Sequence, residues 1–124
     1  MSIFRSDLEK TIPEIFQGIN YSIIFYGGAC SGKTYTMLGN IQDNGILLDY
    51  MYGIFDYMDE NNLKEKTSIY LSCIEYSDEK FKDLLIKTNY NLDIYENISN
   101  EISLIGLSKI KIASLKDGLK LLRF

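Results

Sequence analysis

Eight consecutive residues, Gly27-Gly28-Ala29-Cys30-Ser31-Gly32-Lys33-Thr34, satisfy the pattern G-x-x-x-x-G-K-[ST] at every specified position. Each has a physical task if the ligand is a nucleoside triphosphate. Small residues let the backbone curl until several N–H groups point inward at phosphate oxygens. Lys33 would reach the β- and γ-phosphates as a point charge, and the Thr34 hydroxyl would coordinate Mg²⁺. A helix starting at the end of the loop would add the positive end of its dipole. Average residue frequencies give such a match by chance in about four chains per thousand of this length. The competing description is an ordinary glycine-rich turn beside a surface lysine. The flanking pattern favours the cradle, because a phosphate loop needs a strand before it and a helix after it.

Those flanks are legible. Ile23-Ile24-Phe25, within Ser22 to Tyr26, reads as a strand buried on both faces. Thr34 to Met37 reads as a first helical turn. Upstream, Leu8, Ile12, Ile15 and Phe16 share one face of a helix over Ser6 to Phe16, with Ser6 as cap and Pro13 predicting a kink or a late start near Ile12. Downstream, Gly39 to Gly45 is a loop. Leu47, Met51, Ile54, Phe55 and Met58 then mark one face of an amphipathic helix that ends in the polar stretch Asp59 to Glu65. Thr67 to Glu75 predicts one long strand, and Glu79 to Leu85 a helical turn or short helix. Leu92 to Tyr95, Ser103 to Leu107 and Lys109 to Ala113 predict short strands. Ser114 caps a final helix carrying Leu115, Leu119 and Leu122. Phe124 follows without a C-cap signal, which reads as truncation.

Composition narrows the function classes. The 124 residues suffice for one domain with one core. A net charge of −4 leaves no general basic surface for nucleic acid, so a phosphate ligand must be held by local design. There is no histidine, and two cysteines, Cys30 and Cys73, do not make a zinc site. No apolar run approaches the roughly 20 residues that cross a bilayer, and no signal peptide opens the chain. These features predict a cytosolic, reduced protein. Cys30 reads as a tolerated small residue in preference to a reactive thiol, and Cys73 as core. Glu75, Asp78, Glu79 and Asp83 read as a solvated connector in preference to a metal site. Lys64 and Lys66 read as a solvated face.

Beyond the loop, the residues resemble the kinesin motor family. Phe25-Tyr26-Gly27 before the loop and Thr34-Tyr35-Thr36-Met37, then Gly39, after it are similar to the family's "AYGQTGSGKTYTM.G". Gly18-Ile19-Asn20-Tyr21-Ser22-Ile23-Ile24 resembles "GYNGTIF", and Pro13 falls where kinesins often carry a proline. Gly45-Ile46-Leu47 with Ile54-Phe55 resembles "GIIPR…IF". Glu75 and Glu79 to Leu85 resemble "LEIYNEKIYDLL". Leu92, Ile94, Glu96, Gly106-Leu107 and Ser114-Leu115 resemble "L.IRED…V.GLTE..V.SLEE". Order and spacing hold over essentially the whole chain.

The resemblance implies an α/β fold, a partial P-loop NTPase sheet flanked by helices, with residues 1–124 as one part of a motor domain. It implies ATP and Mg²⁺ as ligands, microtubules as partner, and a cytoplasmic, cytoskeletal location, with neither nucleic acid nor membrane engaged. Tyr35 matches a family position beside the adenine; packing on the sheet is the equal alternative. The departures are Cys30 in place of the family's usual small residue, Leu48-Asp49 for Pro-Arg, and Asp93 and Tyr95 for two basic positions. The family's adenine-side strand and its two switch motifs, "NxxSSRSH" and "DLAGSE", do not occur among these residues. Three functions follow: a motor segment, a nucleotide-binding or interaction relic without motor activity, or a different small P-loop enzyme. A small kinase would need an arginine-rich lid, and Arg5 and Arg123 are the sequence's arginines.

Overall fold

A computed structural model describes residues 2–40, 42–86 and 92–122, with side chains from residue 7 onward. The chain divides into two compact units, Met1–Thr67 and Ser68–Phe124. Unit 1 holds α1 (Ser2–Ile15), α2 (Lys33–Leu38) and α3 (Ile46–Glu60). Unit 2 holds β1 (Ile69–Leu71), β2 (Ile74–Ser77), β3 (Lys80–Asp83), β4 (Asp93–Glu96), β5 (Ile102–Ile105), β6 (Ile110–Ile112) and α4 (Leu115–Leu121).

The amphipathic face read in the sequence of α3 is the one that packs. Met51 and Met58 are buried, and Leu47, Ile54 and Phe55 are half-buried. Helix α1 lies against α3 through three contacts that advance together along both helices. The Thr11 and Tyr50 hydroxyls meet at 2.7 Å. Ile12, buried to 4% exposure, packs on Gly53, where an added Cβ would lie 2.4 Å from its Cδ1. The Phe16 and Tyr57 rings stack with centroids 5.0 Å apart. Burying a side chain such as Ile12 contributes about 1.5–3 kcal/mol. The helix begins at Ser2, so Ser6 is not its cap, and the Ser6 side chain lies outside the described residues. The late start expected near Ile12 does not occur, and the helix continues through Pro13 to Ile15. The earlier start places Pro13 in the last turn, where it removes the one donor that would bond the Glu9 carbonyl and only two helical residues follow.

The run Ile23-Ile24-Phe25 departs from expectation. Residues 19–27 carry no regular structure and pair with no strand among the described residues. Their side chains nevertheless alternate. Tyr21, Ile23 and Phe25 line a cavity of about 400 Å³ that Ile15, Met37 and Leu47 also line. Ile24 and Tyr26 are 80% and 91% exposed. Tyr21 and Ile23 on the cavity side are still 42% and 37% exposed and only Phe25 is half-buried, in place of the expected burial on both faces. A β ladder needs a hydrogen-bonding neighbour, and apolar alternation alone does not supply one.

The ladders of unit 2 are three antiparallel pairs: β1 with β6, β2 with β3, and β4 with β5. The single strand predicted over Thr67 to Glu75 is divided at Ser72-Cys73, because its two halves pair with different partners. Ile69 faces Ile112, whereas Ile74 faces Asp83. Glu79 to Leu85 is not helical. Asp78 and Glu79, with φ of 52° and 60°, form the two-residue turn of a hairpin, and Lys80–Asp83 is its returning strand. The short strands predicted downstream form as β4, β5 and β6. Helix α4 starts as expected: the Asp117 N–H donates to Ser114 Oγ at 3.3 Å, and that hydroxyl donates to Asp117 Oδ2 at 2.7 Å. The reading of the chain end at Phe124 lies outside the described residues.

Candidate nucleotide-binding site

The loop from Gly27 to Gly32 joins the extended segment 19–27 to α2 and is exposed throughout. Its backbone uses the left-handed region at three positions: Gly27 at φ 150°, Cys30 at 58° and Gly32 at 88°. Glycine takes such angles without steric penalty, whereas Cys30 adopts its left-handed angle as a residue with a Cβ. At Gly27 space is also limiting, since an added Cβ would lie 2.6 Å from Ser31 Oγ. Gly28 and Gly32 face open space. Ala29 and Ser31 fill the turn between them. Lys33, the first residue of α2, folds back across the loop. Its Nζ donates to the carbonyl oxygens of Gly27 at 2.8 Å and Gly28 at 2.6 Å. The ammonium is thus held over the curl by uncharged acceptors, from which phosphate oxygens can take it because charge-assisted hydrogen bonds are stronger. The Thr34 hydroxyl is exposed and hydrogen-bonds to no described residue, whereas that of Thr36 donates to the Gly32 carbonyl at 3.0 Å. Helix α2 has six residues, so its dipole adds less to the cradle than a long helix would.

Tyr35 is neither on a sheet nor in the core. It is 43% exposed, and its hydroxyl donates to Asp43 Oδ2 at 2.9 Å. That hydrogen bond, with the carboxylate's charge, pushes the phenol pKa up. Asp43 belongs to the return loop between α2 and α3, which is itself ordered by short-range bonds. Asn40 Oδ1 accepts from the N–H groups of Gln42 and Asp43 at 2.8 Å each, and the Asn40 N–H donates to the Asp43 carbonyl at 2.8 Å. Gly39 and Gly45 close the loop backbone to backbone. A Cβ on Gly39 would lie 2.2 Å from the Asp43 carbonyl oxygen, and one on Gly45 2.3 Å from that of Met37. No motif in the sequence points to Asp43; the density of Asn, Gln and Asp in residues 40–44 signals a turn and nothing more.

The remaining candidates separate. Glu75, Asp78 and Glu79 lie on the exposed β2–β3 hairpin, with Lys82 Nζ 3.6 Å from Glu75 Oε1. Asp83 is not part of a solvated connector. It is 4% exposed: Oδ1 accepts from the N–H groups of Leu85 and Ile86 at 2.8 and 3.3 Å, and Oδ2 from that of Ser108 at 2.8 Å. Burial pushes its carboxyl up, and the donors from Ser108, Leu85 and Ile86 outweigh burial and hold it below the ordinary range. Among the described residues no group of three or more His, Cys, Asp or Glu is placed to hold a metal. Cys30 is exposed and Cys73 half-buried, both as free thiols, and burial pushes the Cys73 thiol up. Lys64 is paired with Asp59 on an exposed surface, as a solvated face requires.

A glycine-rich loop with a lysine at the head of the next helix, in a chain of mixed helices and strands, is consistent with a partial α/β P-loop NTPase fold. The comparison with known proteins makes this particular. The kinesin motor domain model matches residues 1–124. Kinesin-like protein KIN-8B of Arabidopsis thaliana is 31% identical over 121 residues, 98% of this chain and 15% of the relative. Kinesin-like protein 3 of Schizosaccharomyces pombe is 31% identical over 123 residues, 97% of this chain and 22% of the relative. A solved fast kinesin, described with implications for ATPase mechanism and interactions with microtubules, superposes with a TM-score of 0.79 at 25% identity, over 93% of this chain and 34% of its own. The chain belongs to the kinesin motor domain family. It spans about a third of the solved motor chain and less of the two relatives.

Proposed function

We propose that residues 1–124 are the phosphate-cradle portion of a kinesin motor domain, and that Gly27 to Thr34 hold ATP with Mg²⁺. Lys33 supplies the cation for the terminal phosphates and Thr34 the hydroxyl ligand of the metal, with Tyr35 beside the base. In a whole motor domain this site would serve ATP-driven movement along microtubules, in the cytoplasm and on the cytoskeleton. Among the described residues no helix is long and apolar enough to cross a membrane. The observation that carries the reading is Lys33 Nζ lying on the Gly27 and Gly28 carbonyls, folded over a glycine-lined loop that is open to solvent. Inorganic chemistry supplies the rest: Mg²⁺ keeps most of its waters and takes few protein ligands, so one hydroxyl is a sufficient protein contribution at the loop.

The test is titration of the purified chain with a fluorescent ATP analogue, with Mg²⁺ and with EDTA. Lys33→Ala removes charge-assisted contacts of about 1.5–3 kcal/mol and weakens binding by roughly ten- to a hundredfold. Thr34→Ala weakens binding in Mg²⁺, and its deficit shrinks in EDTA. Equal affinity of wild type and Lys33→Ala would remove the cradle assignment, and a metal-independent Thr34 deficit would remove that residue's role.

A further inference from the structure

We propose that the β4–β5 hairpin is a docking edge for a basic, extended segment of another protein, which adds to the hairpin as a further strand beside β5. The proposal is independent of the reading of Gly27 to Thr34. It starts from an edge that is open and held in place at both ends. β4 and β5 pair with each other from Asp93 opposite Ile105 to Glu96 opposite Ile102, and among the described residues no strand pairs with the outer side of β5. One side chain pins the tip: Asn97 Oδ1 accepts from the N–H groups of Ser99 and Glu101 at 2.9 Å each, and its Nδ2 donates to Glu101 Oε2 at 2.7 Å. The base is pinned on both strands, because the Leu92 N–H donates to the Phe81 carbonyl at 2.9 Å and the Ser108 N–H to Asp83 Oδ2 at 2.8 Å. An edge fixed in advance spares an incoming strand the cost of ordering it.

The hairpin exposes more apolar surface than its own pairing uses. Ile94, Tyr95, Ile102 and Ile105 are each more than half exposed, and Ile98 at the tip is wholly so. The register puts Ile94 and Ile102 on one face and Tyr95 and Ile105 on the other, so neither face is covered. A two-stranded ribbon with both faces wet and an edge open is what strand addition completes. Charge selects the partner. From Leu92 to Ser108 the sequence holds Asp93, Glu96 and Glu101 and no basic residue. Among the described residues no cation pairs with Asp93 or Glu96. Asp93 and Tyr95 stand at positions that are basic in the kinesin pattern, so the acidity belongs to this chain. A second copy would set these carboxylates against their own kind, which disfavours self-pairing. Lys and Arg on the added strand answer them instead.

The probe is a fluorescent peptide of about ten residues in which valine and lysine alternate, long enough to match a strand. It is titrated into the purified chain and followed by anisotropy. Binding is expected, and it weakens as salt rises and screens the exposed charges. The same peptide with glutamate in place of lysine does not bind. Methylating alternate backbone nitrogens along one edge of the peptide weakens binding about tenfold or more, because the ladder loses its donors. Asp93→Lys with Glu96→Lys weakens it by a similar factor. Ile102→Thr with Ile105→Thr, which keeps β-branched side chains in β5, also weakens it while the urea midpoint of the chain stays close to wild type. Three results would overturn the proposal: no binding of the lysine peptide, binding indifferent to N-methylation or to the paired lysine substitutions, or sedimentation of the wild-type chain as a dimer that the threonine variant abolishes. The last would make a second copy the occupant of the edge.

Discussion

Among the described residues Asp83 is the one buried charge, and its chemistry sets a pH dependence. Three backbone donors hold its carboxyl below the ordinary range against the opposing effect of burial. A depressed folded pKa stabilises the fold above the unfolded value of about 3.9, and that contribution is lost as pH falls through the lower folded value. Asp83→Asn forces an NH₂ group against backbone donors. Urea unfolding at pH 7 is expected to show a loss of about 1.5–3 kcal/mol, the scale of hydrogen bonds to a charged group. The gap narrows at about pH 3. An equal gap at both pH values would mean that the residue acts through shape and not through charge. The residue scale also shows where the sequence is most readable. Gly27 to Thr34 stand out because the pattern is written in consecutive residues. Asp83 and Asp43 do not: Leu85 and Ile86 bond Asp83 locally, but Ser108 is far along the chain and Tyr35 lies on the preceding helix, and no spacing rule connects those.

At the level of elements, periodicity succeeded where a face was long. The α3 pattern from Leu47 to Met58 repeats over several turns, and the helix follows it. It failed where the run was short. Lys80-Phe81-Lys82-Asp83 alternates as a strand should, yet Phe81, Leu84 and Leu85 also fit one side of a helix. The turn that would have decided between them, Asp78-Glu79, lacks the Asn-Gly signature of a two-residue hairpin. Both residues nonetheless adopt positive φ. Asp78→Asn together with Glu79→Gly relieves that backbone and is expected to stabilise the hairpin by about 1 kcal/mol. Thermal unfolding would register it as a raised midpoint; a lowered one would count against the turn. Residues 19–27 illustrate a different limit. Their apolar run was legible as a strand buried on both faces, but whether a ladder forms depends on a neighbour, and neighbours are not encoded in the segment itself.

For the whole chain, the contrast is between holding a triphosphate and splitting it. Holding needs one loop. Hydrolysis needs positioning and charge stabilisation from several segments acting together. No DxxG follows the loop anywhere in the sequence, and Arg5 and Arg123 are its arginines. The purified 124-residue chain is therefore expected to bind ATP and to release phosphate at well under about 1 s⁻¹, the low end of ordinary enzyme rates. Added microtubules are expected to leave that rate unchanged. A phosphate-release assay with Lys33→Ala as contamination control decides the matter. Turnover above that level that vanishes in the variant would show that these residues are a sufficient catalyst. Family membership was readable at this scale because the motifs keep their order over the whole length, a property that survives even where single elements are misread.

The glycine pair at the end of α2 has a mechanical meaning. With Gly39 and Gly45 in backbone contact, the segment leaving α2 joins α3 without room for a side chain between them. On the other side of the glycine-rich loop, residues 19–27 have no ladder and a solvent-facing side. On the proposed reading of the loop, the side of the site that carries the glycines is the one packed too closely for a side chain.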